Sequence, residues 1–338
     1  MKKTLTMALA SSASILLYAN AGYTQESSRF TWDGEIELGY ESVYDSDAAA
    51  NEVNDPYLFI ELNGEFAVSD SVSFFGGLTL EEMTGPSNGV RDLGMYFHEL
   101  GMRFNAGAAT FSIGKFHPQF GAAWDETAGF FGGTIAEDYE LVEKIGGAVD
   151  YDMGQNGVLS FALFYADDTV LSESAFHNRG RNTTAAGGAG NTGQLDNASL
   201  QWANEYGDTR VLAGLRYQSA GIGSVSDETG AVVGLGHSFG SGFDFYGEVA
   251  AFDGYEGTSD DATYVTMNLA YTLGQATTLS GTYVHRDLDS RGVLEGVSVG
   301  VEYEFQNNMT IGAALATNDD NGVRDNIFGV NLVLGLGG

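Results

Sequence analysis

Residues 265–272 read VTMNLAYT, and apolar side chains alternate there with polar or small ones. Val265, Met267 and Leu269 share one parity, whereas Thr266 and Asn268 share the other. Successive side chains of a β-strand point to opposite faces of the sheet. This alternation therefore predicts a strand with one apolar and one polar face.

The same two-residue period recurs along the chain and predicts 16 strands in a single domain. In sequence order the candidate strands are residues 30–40, 58–68, 72–80, 99–105, 110–113, 144–151, 159–165, 200–202, 210–218, 233–239, 243–249, 265–272, 279–286, 297–304, 309–315 and 328–336. The regular spacing leaves no room for a linker or a second domain.

The connections between the candidate strands alternate between two kinds. Residues 69–71 and 274–276 are examples of short turns, whereas residues 116–142 and 167–196 are long and polar. The later connections of the second kind also tend to be longer and polar. Short turns at one end and long loops at the other are typical of an up-and-down barrel whose ends face different compartments.

Aromatic residues of the apolar faces fall near the ends of the strands. Next to the short turns they are Phe66, Phe104, Tyr151, Phe239, Phe243, Tyr271, Tyr303 and Phe305. At the opposite ends they are Tyr40, Tyr165, Tyr217 and Tyr283. Two aromatic rings that flank an aliphatic band are typical of a membrane-spanning barrel. In the alternative, a soluble all-β protein, the aromatic residues would gather in a closed core.

The composition excludes several classes of protein. The 338 residues include 46 acidic and 14 basic side chains, and a formal charge of −32 would repel a nucleic-acid backbone. The absence of cysteine excludes disulfides, cysteine-ligated metals and a thiol nucleophile. Because 43% of the residues are hydrophobic, the chain can bury enough apolar surface to fold.

The first residues have the pattern of an export signal. Lys2 and Lys3 precede a largely apolar stretch at residues 4–18, and Ala19-Asn20-Ala21 matches a signal-peptidase site. We expect residues 1–21 to be removed and residues 22–338 to form the barrel domain. No later run of about 18 apolar residues could form a transmembrane helix, so a membrane crossing would require a closed barrel of strands.

A short motif is similar to one found in a known family. Phe131-Gly132-Gly133-Thr134 resembles the Phe-Gly-Gly core of the third loop of the Gram-negative general porins, although Gly129-Phe130 stands where Pro-Glu is frequent. The resemblance implies an all-β fold, a 16-stranded antiparallel transmembrane β-barrel with short periplasmic turns, long external loops and an in-folded third loop. It also implies a homotrimer in the outer membrane, in contact with lipid and lipopolysaccharide.

The same resemblance implies a water-filled channel for passive diffusion of small hydrophilic solutes and ions, with no enzymatic activity and no cofactor. The carboxylates expected to narrow the channel on the third loop are Asp125, Glu126, Glu137, Asp138 and Glu140. The basic residues expected on the facing wall are Arg103, Lys144, Arg210, Arg216 and Arg286. Acidic residues with inward parity are Glu61, Glu65 and Glu81. Since acidic groups outnumber basic ones, we expect a preference for cations.

Other functions remain open from the sequence. A substrate-selective channel for sugars, phosphate or dicarboxylates would use the same fold. A structural or adhesive barrel could bind a partner through the long loop at 167–196, which carries Arg179 and Arg181. An outer-membrane hydrolase is the least favoured, because the sequence contains neither G-x-S-x-G nor H-E-x-x-H.

Carboxylates also cluster in the predicted external loops. The clusters are Asp45, Asp47, Glu52 and Asp55, then Asp260 and Asp261, and finally Asp319 and Asp320. Oxygen-rich loops can bind calcium. Because no EF-hand spacing is present, we favour a solvated acidic surface over a calcium site.

Overall fold

The computed structural model describes residues 29–85 and 89–337. The predicted signal peptide at residues 1–21 lies outside the described residues, and its removal stays a prediction. The described part of the predicted barrel domain forms one continuous sheet.

Strands make up most of this part of the chain. They are β1 Phe30–Ser46, β2 Asn54–Ser69, β3 Val72–Glu82, β4 Leu93–Ala106, β5 Ala109–Phe116, β6 Lys144–Asp152, β7 Val158–Ala166, β8 Ala175–Phe176, β9 Asn197–Tyr206, β10 Thr209–Gln218, β11 Glu228–Phe239, β12 Phe243–Asp253, β13 Ala262–Leu273, β14 Thr277–Leu288, β15 Gly292–Glu304, β16 Met309–Asp320 and β17 Val323–Gly337.

The sheet closes on itself. β1 pairs with β2 along one edge and with β17 along the other, and the strand pairs are antiparallel. Sixteen of these strands form a closed barrel, and the two-residue β8 is an additional strand. Closure pairs the backbone groups that an open edge would leave exposed. The predicted 16-stranded antiparallel barrel is confirmed.

The two-residue strand β8 pairs with the part of β4 that β5 does not reach. β5 is short and pairs with β4 only from Leu100 to Ala106. Beyond that point β4 would present a free edge, and β8 pairs there with Gly94 and Met95. A segment of the connection between β7 and β9 therefore extends the wall where β5 has ended.

The two faces of the strands differ as the alternation predicts. On β13, Met267 and Leu269 are each 48% exposed on the outside, whereas Thr266 and Asn268 are 1% and 3% exposed on the inside. Exposed aromatic side chains lie towards both strand ends, for example Phe104 on β4 and Tyr217 on β10. An apolar outer band with aromatic borders is the surface that a bilayer solvates.

Two of the connections predicted to be longer are short. The strands that flank them continue beyond the residues whose apolar and polar side chains alternate. β16 and β17 stay paired up to Asp320 and Val323 and leave only Asn321 and Gly322 between them. Both turn residues have positive φ, at 55° and 81°, as a type I′ hairpin turn requires. Asp319 and Asp320 therefore lie in a strand, and β14 and β15 are joined by residues 289–291 alone.

The helical elements are short. They are α1 Ala123–Glu126 and 3₁₀ turns at Ala49–Asn51, Gly89–Arg91, Glu137–Tyr139, Gly154–Asn156, Val170–Ser172, Thr184–Ala186 and Tyr255–Gly257. Within the described ranges, none of these helices has the length and apolar character needed to span a membrane.

Candidate functional site

Residues 117–143, called loop 3 here, connect β5 to β6 and lie inside the barrel. Near the middle of the loop, Phe131 is 8% exposed and packs with Val43 of β1 and Ile327 of β17. The ring of Phe130 covers Gly329 of β17, where a Cβ atom would overlap it. Loop 3 therefore reaches from β5 across the lumen to the far wall, which confirms the predicted in-folded third loop.

The Phe-Gly-Gly motif makes the sharp bend at this point of loop 3. A Cβ atom on Gly132 would lie 2.7 Å from the carbonyl oxygen of Thr127, and one on Gly133 would lie 2.6 Å from Cα of Trp124. Glycine is required at both positions because backbone packs directly against backbone. The motif lets the second half of loop 3 fold back onto α1.

A carboxylate of the wall holds both halves of loop 3. Glu248 of β12 is 1% exposed and accepts hydrogen bonds from the backbone N–H of Ala122 at 3.0 Å and from the hydroxyl of Tyr139 at 2.7 Å. Tyr246 donates a further bond at 2.7 Å. Gly121 has a φ of +86°, and a Cβ atom there would lie 2.8 Å from this carboxylate.

Two amide side chains of the wall continue the attachment of loop 3. Gln201 accepts from the backbone N–H of Gly121 at 2.7 Å. Asn268 accepts from the N–H of Ala128 at 3.2 Å and donates to its carbonyl at 2.9 Å. These bonds satisfy backbone groups that have no secondary-structure partner.

Aromatic packing fills the space between loop 3 and the same wall. Tyr139 of the loop contacts Tyr264 and Phe252 with ring centroids 5.1 Å and 5.9 Å apart. Trp124 and Phe120 contact Tyr139 on the loop side. The barrel is thus packed on the β10–β14 side, and burial of these rings adds to the stability of the attached loop.

The acidic residues predicted on loop 3 occupy different environments. Glu126 forms an ion pair with Arg210 at 3.1 Å, and Asp138 forms one with Arg286 at 3.5 Å. Glu140 lies 3.8 Å from His117, near the other end of the loop. Asp125 is exposed, and Glu137 is half-buried.

Burial perturbs the titration of several loop-3 groups. Desolvation raises the pKa of Glu137 well above its ordinary value, and the nearby carboxylates of Glu140 and Asp138 raise it further. Burial also raises the pKa of Asp138, which Arg286 opposes. Burial alone would lower the pKa of His117, but the nearby carboxylate of Glu140 and the other acidic groups around it raise the pKa above its ordinary value.

The predicted basic residues do not form one wall opposite the loop. Arg210 and Arg286 bind loop 3 itself, and Arg210 also pairs with Asp244 at 2.8 Å. Arg216 is buried beneath the loop, where it pairs with Glu228 at 2.7 Å. Lys144 is half-buried, and its ammonium group makes no hydrogen bond or ion pair within the described residues.

Arg103 lies on β4, and its ion-pair partner belongs to the wall rather than to loop 3. It pairs with Glu65 at 2.6 Å and lies over the ring of Phe75 at 4.3 Å. Glu61 is 6% exposed and accepts from Asn63, and Glu81 accepts from Tyr96 at 2.5 Å. These predicted acidic residues lie on the β1–β4 wall, which loop 3 contacts at Val43 and at His98.

That wall, built by β1 to β4, is richer in acid than the sequence prediction recognised. Its inward carboxylates are Asp33, Glu35, Glu37, Glu41, Asp55, Glu61, Glu65, Glu81 and Glu99. Glu35 and Glu61 are direct cross-strand neighbours, and so are Glu41 and Asp55. Like charges in such positions repel, so the wall has a strongly negative potential that Arg103 alone offsets within these four strands.

Sequence reasoning also missed the role of Glu248 and Asn268. Their positions in the alternating pattern indicated that both side chains face the lumen. Their partners, however, lie more than 100 residues away in sequence, on loop 3. As for the acidic clusters, no group of three or more His, Cys, Asp or Glu side chains within the described parts of the chain is arranged to hold a metal ion.

Neither a protein-family model nor a curated protein sequence matches the chain. Several solved structures are similar to the chain in fold. OmpF of Salmonella typhi, in a complex with daunomycin, has a TM-score of 0.66 at 12% identity and covers 91% of this chain and 97% of its own. A mutant of the Rh. blastica porin has a TM-score of 0.62 at 14% identity, with 91% and 100% covered. The trimer form of Vibrio cholerae OmpT, an outer membrane protein, has a TM-score of 0.59 at 14% identity, with 91% and 99% covered. The chain therefore has the fold of the 16-stranded general porins.

Proposed function

We propose that the chain is an outer-membrane porin, a channel for passive diffusion of small hydrophilic solutes and ions that prefers cations. The porin fold, the apolar outer band and a loop fastened across the lumen support the first part. Charged groups at the narrowest part of a channel select permeant ions. The proposal needs no catalytic group and no cofactor.

The observation that carries the cation preference is the pairing of the lumen arginines. Arg103, Arg210, Arg216 and Arg286 each lie within 3.5 Å of a carboxylate. The wall facing loop 3 keeps its carboxylates in excess of its single arginine. A mobile cation therefore gains energy along this wall, whereas an anion meets the field of the excess carboxylates.

The same pairing argues against a channel specific for phosphate or dicarboxylates. Such a channel would need a series of uncommitted basic groups along the path, and the lumen arginines are committed to carboxylates. Preference among neutral sugars would rest on exposed aromatic rings. The inward rings of Phe59 and Phe75 are 2% and 4% exposed and offer little stacking surface.

A homotrimer in contact with outer-membrane lipid and lipopolysaccharide completes the proposal. The trimer form of the Vibrio cholerae protein with the same fold supports the assembly. The exposed leucine, valine and phenylalanine side chains of the outer face support contact with acyl chains.

The test is the reversal potential of single channels in a planar bilayer with a potassium chloride gradient. We expect stepwise conductance and a potential of the cation sign. Glu35→Gln combined with Glu61→Gln should move the potential towards zero, because the two carboxylates are neighbours on the acidic β1–β4 wall. Glu52→Gln, at an exposed loop position, is the matched control and should leave it unchanged.

Two results would contradict the proposal at different levels. Correctly folded protein that gives no conductance steps would refute the channel. Conductance with a reversal potential near zero or of the anion sign would support the channel but refute the cation preference.

A further inference from the structure

Basic side chains gather at one place near the external mouth of the barrel. A cavity of about 390 Å³ lies between the ends of β6 and β7 and residues 167–196, called loop 4 here. Lys144, Arg179 and Arg181 line it together with Glu143 and Asp167. Lys115 lies behind the two carboxylates. Four of the 14 basic residues of the chain thus meet around this cavity.

Two of these four cations are used to build the cavity. Lys115 is 0% exposed and bonds Glu143 at 2.6 Å and Asp167 at 2.8 Å. Arg179 forms a bidentate pair with Glu143, at 2.9 Å and 2.5 Å, and lies over the ring of Tyr96 at 3.7 Å. Two carboxylates are therefore neutralised by two basic groups, and this framework fastens loop 4 to the wall.

The other two cations are not used in this way. Lys144 lies at the start of β6, and its ammonium group has no hydrogen bond or ion pair among the described residues. Arg181 donates only from Nε, to the backbone carbonyl of Asp168 at 2.9 Å, and its two terminal nitrogens have no partner in the described chain. Arg216, near Lys144, is neutralised by Glu228. Among the described residues, neither Lys144 nor Arg181 forms an ion pair with a carboxylate.

An anion can accept charge-assisted hydrogen bonds from the Lys144 ammonium and from the free terminal nitrogens of Arg181. A guanidinium and an ammonium on one cavity wall match the oxygens of a carboxylate or a phosphate group. The cavity volume is in the range of small-molecule sites and exceeds what one inorganic ion fills. The polar side chains of Ser172 and Asn182 line the same cavity.

We propose that this cavity is a binding site for a small organic anion with a phosphate or carboxylate group, held by Lys144 and Arg181. Lys144 lies on the lumen side of β6, so a solute entering from the external mouth reaches the site. The site does not depend on the cation preference of the channel, and it can be assayed on protein in detergent without any conductance measurement.

The experiment is calorimetric titration of the refolded protein with glycerol 3-phosphate, with inorganic phosphate and acetate as smaller probes. We expect saturable binding with a stoichiometry of one per chain. Lys144→Met and Arg181→Gln should each weaken binding about tenfold or more, because each removes a charge-assisted hydrogen bond. Arg324→Gln removes an exposed arginine from the start of β17 and is the matched control that should bind normally.

Three results would overturn the proposal. One is the absence of saturable binding by wild-type protein whose circular dichroism shows a folded barrel. Another is an equal loss of affinity in Arg324→Gln, which would show that the anions respond only to overall charge. The third is saturable binding of lipopolysaccharide by protein that binds none of the soluble probes, which would assign the basic groups to a lipid phosphate.

Discussion

The hydroxyl of Tyr139, near the end of loop 3, donates a hydrogen bond of 2.7 Å to the carboxylate of Glu248 on β12. The same carboxylate accepts from the backbone of Ala122, near the start of the loop. One side chain of the wall therefore joins the two halves of the loop and fixes how far loop 3 extends into the lumen.

Replacement of this carboxylate should loosen loop 3. Glu248→Ala leaves the donors of Ala122, Tyr139 and Tyr246 without their acceptor, at a cost of about 1–3 kcal/mol for each donor that stays buried. We expect larger current fluctuations in the open channel and a lower unfolding midpoint in denaturant. Glu304→Ala removes an exposed inward carboxylate and is the control. Similar behaviour of the two variants would show that Glu248 does not hold the loop.

The bend of loop 3 should not tolerate a side chain at Gly133. In Gly133→Ala the new Cβ atom would overlap Cα of Trp124, so α1 must move away from residue 133. We expect new protease cleavage within residues 117–143 and an altered single-channel conductance. Gly281→Ala is the control, because its nearest neighbour would lie 3.8 Å away. Identical cleavage patterns in the two variants would contradict this account of the motif.

Loop 3 should attach more tightly as the pH falls towards the ordinary pKa of a glutamate. Burial raises the pKa of Glu137 well above 4.5, so the attached loop binds a proton that the released or unfolded loop has lost. Between the two pKa values the attached state therefore gains stability as pH decreases. Proteolysis of loop 3 should slow from about pH 8 to about pH 5.

Glu137→Gln tests the assignment of this pH dependence. The uncharged amide mimics the protonated acid, so the variant should resist proteolysis at neutral pH and lose most of the dependence on pH. Asp125→Asn, at an exposed position of the same loop, should retain it. If Glu137→Gln retained the full dependence, another group of the loop would be responsible.

Removal of a lumen arginine should increase the cation preference. Arg286→Gln leaves Asp138 without its ion-pair partner at 3.5 Å. A unit charge acts on an ion about 4 Å away in water with about 1 kcal/mol, which corresponds to an increase in the cation-to-anion permeability ratio of up to about fivefold. Reversal potentials in a salt gradient measure it, with Arg324→Gln as the control. A ratio that fell would show that Asp138 does not face the permeation path.

The strands could be predicted because their signal is local. Met267 and Thr266 are adjacent in sequence and face lipid and lumen because successive side chains of any strand alternate. The connections were harder to predict from the sequence. Asp319 and Asp320, for example, have the composition of a loop but belong to a paired strand. Pairing with β17 decides their structure, and that partner is not visible in their own segment.

The sequence by itself determined the number of strands, the sign of the charge and the two faces of the barrel, because these depend on composition and on a period of two residues. Only the tertiary structure decided the partners of the charges. Arg210 and Arg286 bind loop 3, Glu248 joins its two ends, and Lys144 is left without a partner. Each relationship joins residues from separate strands and loops, and closure of the barrel is what brings them within the few ångströms over which hydrogen bonds and ion pairs act.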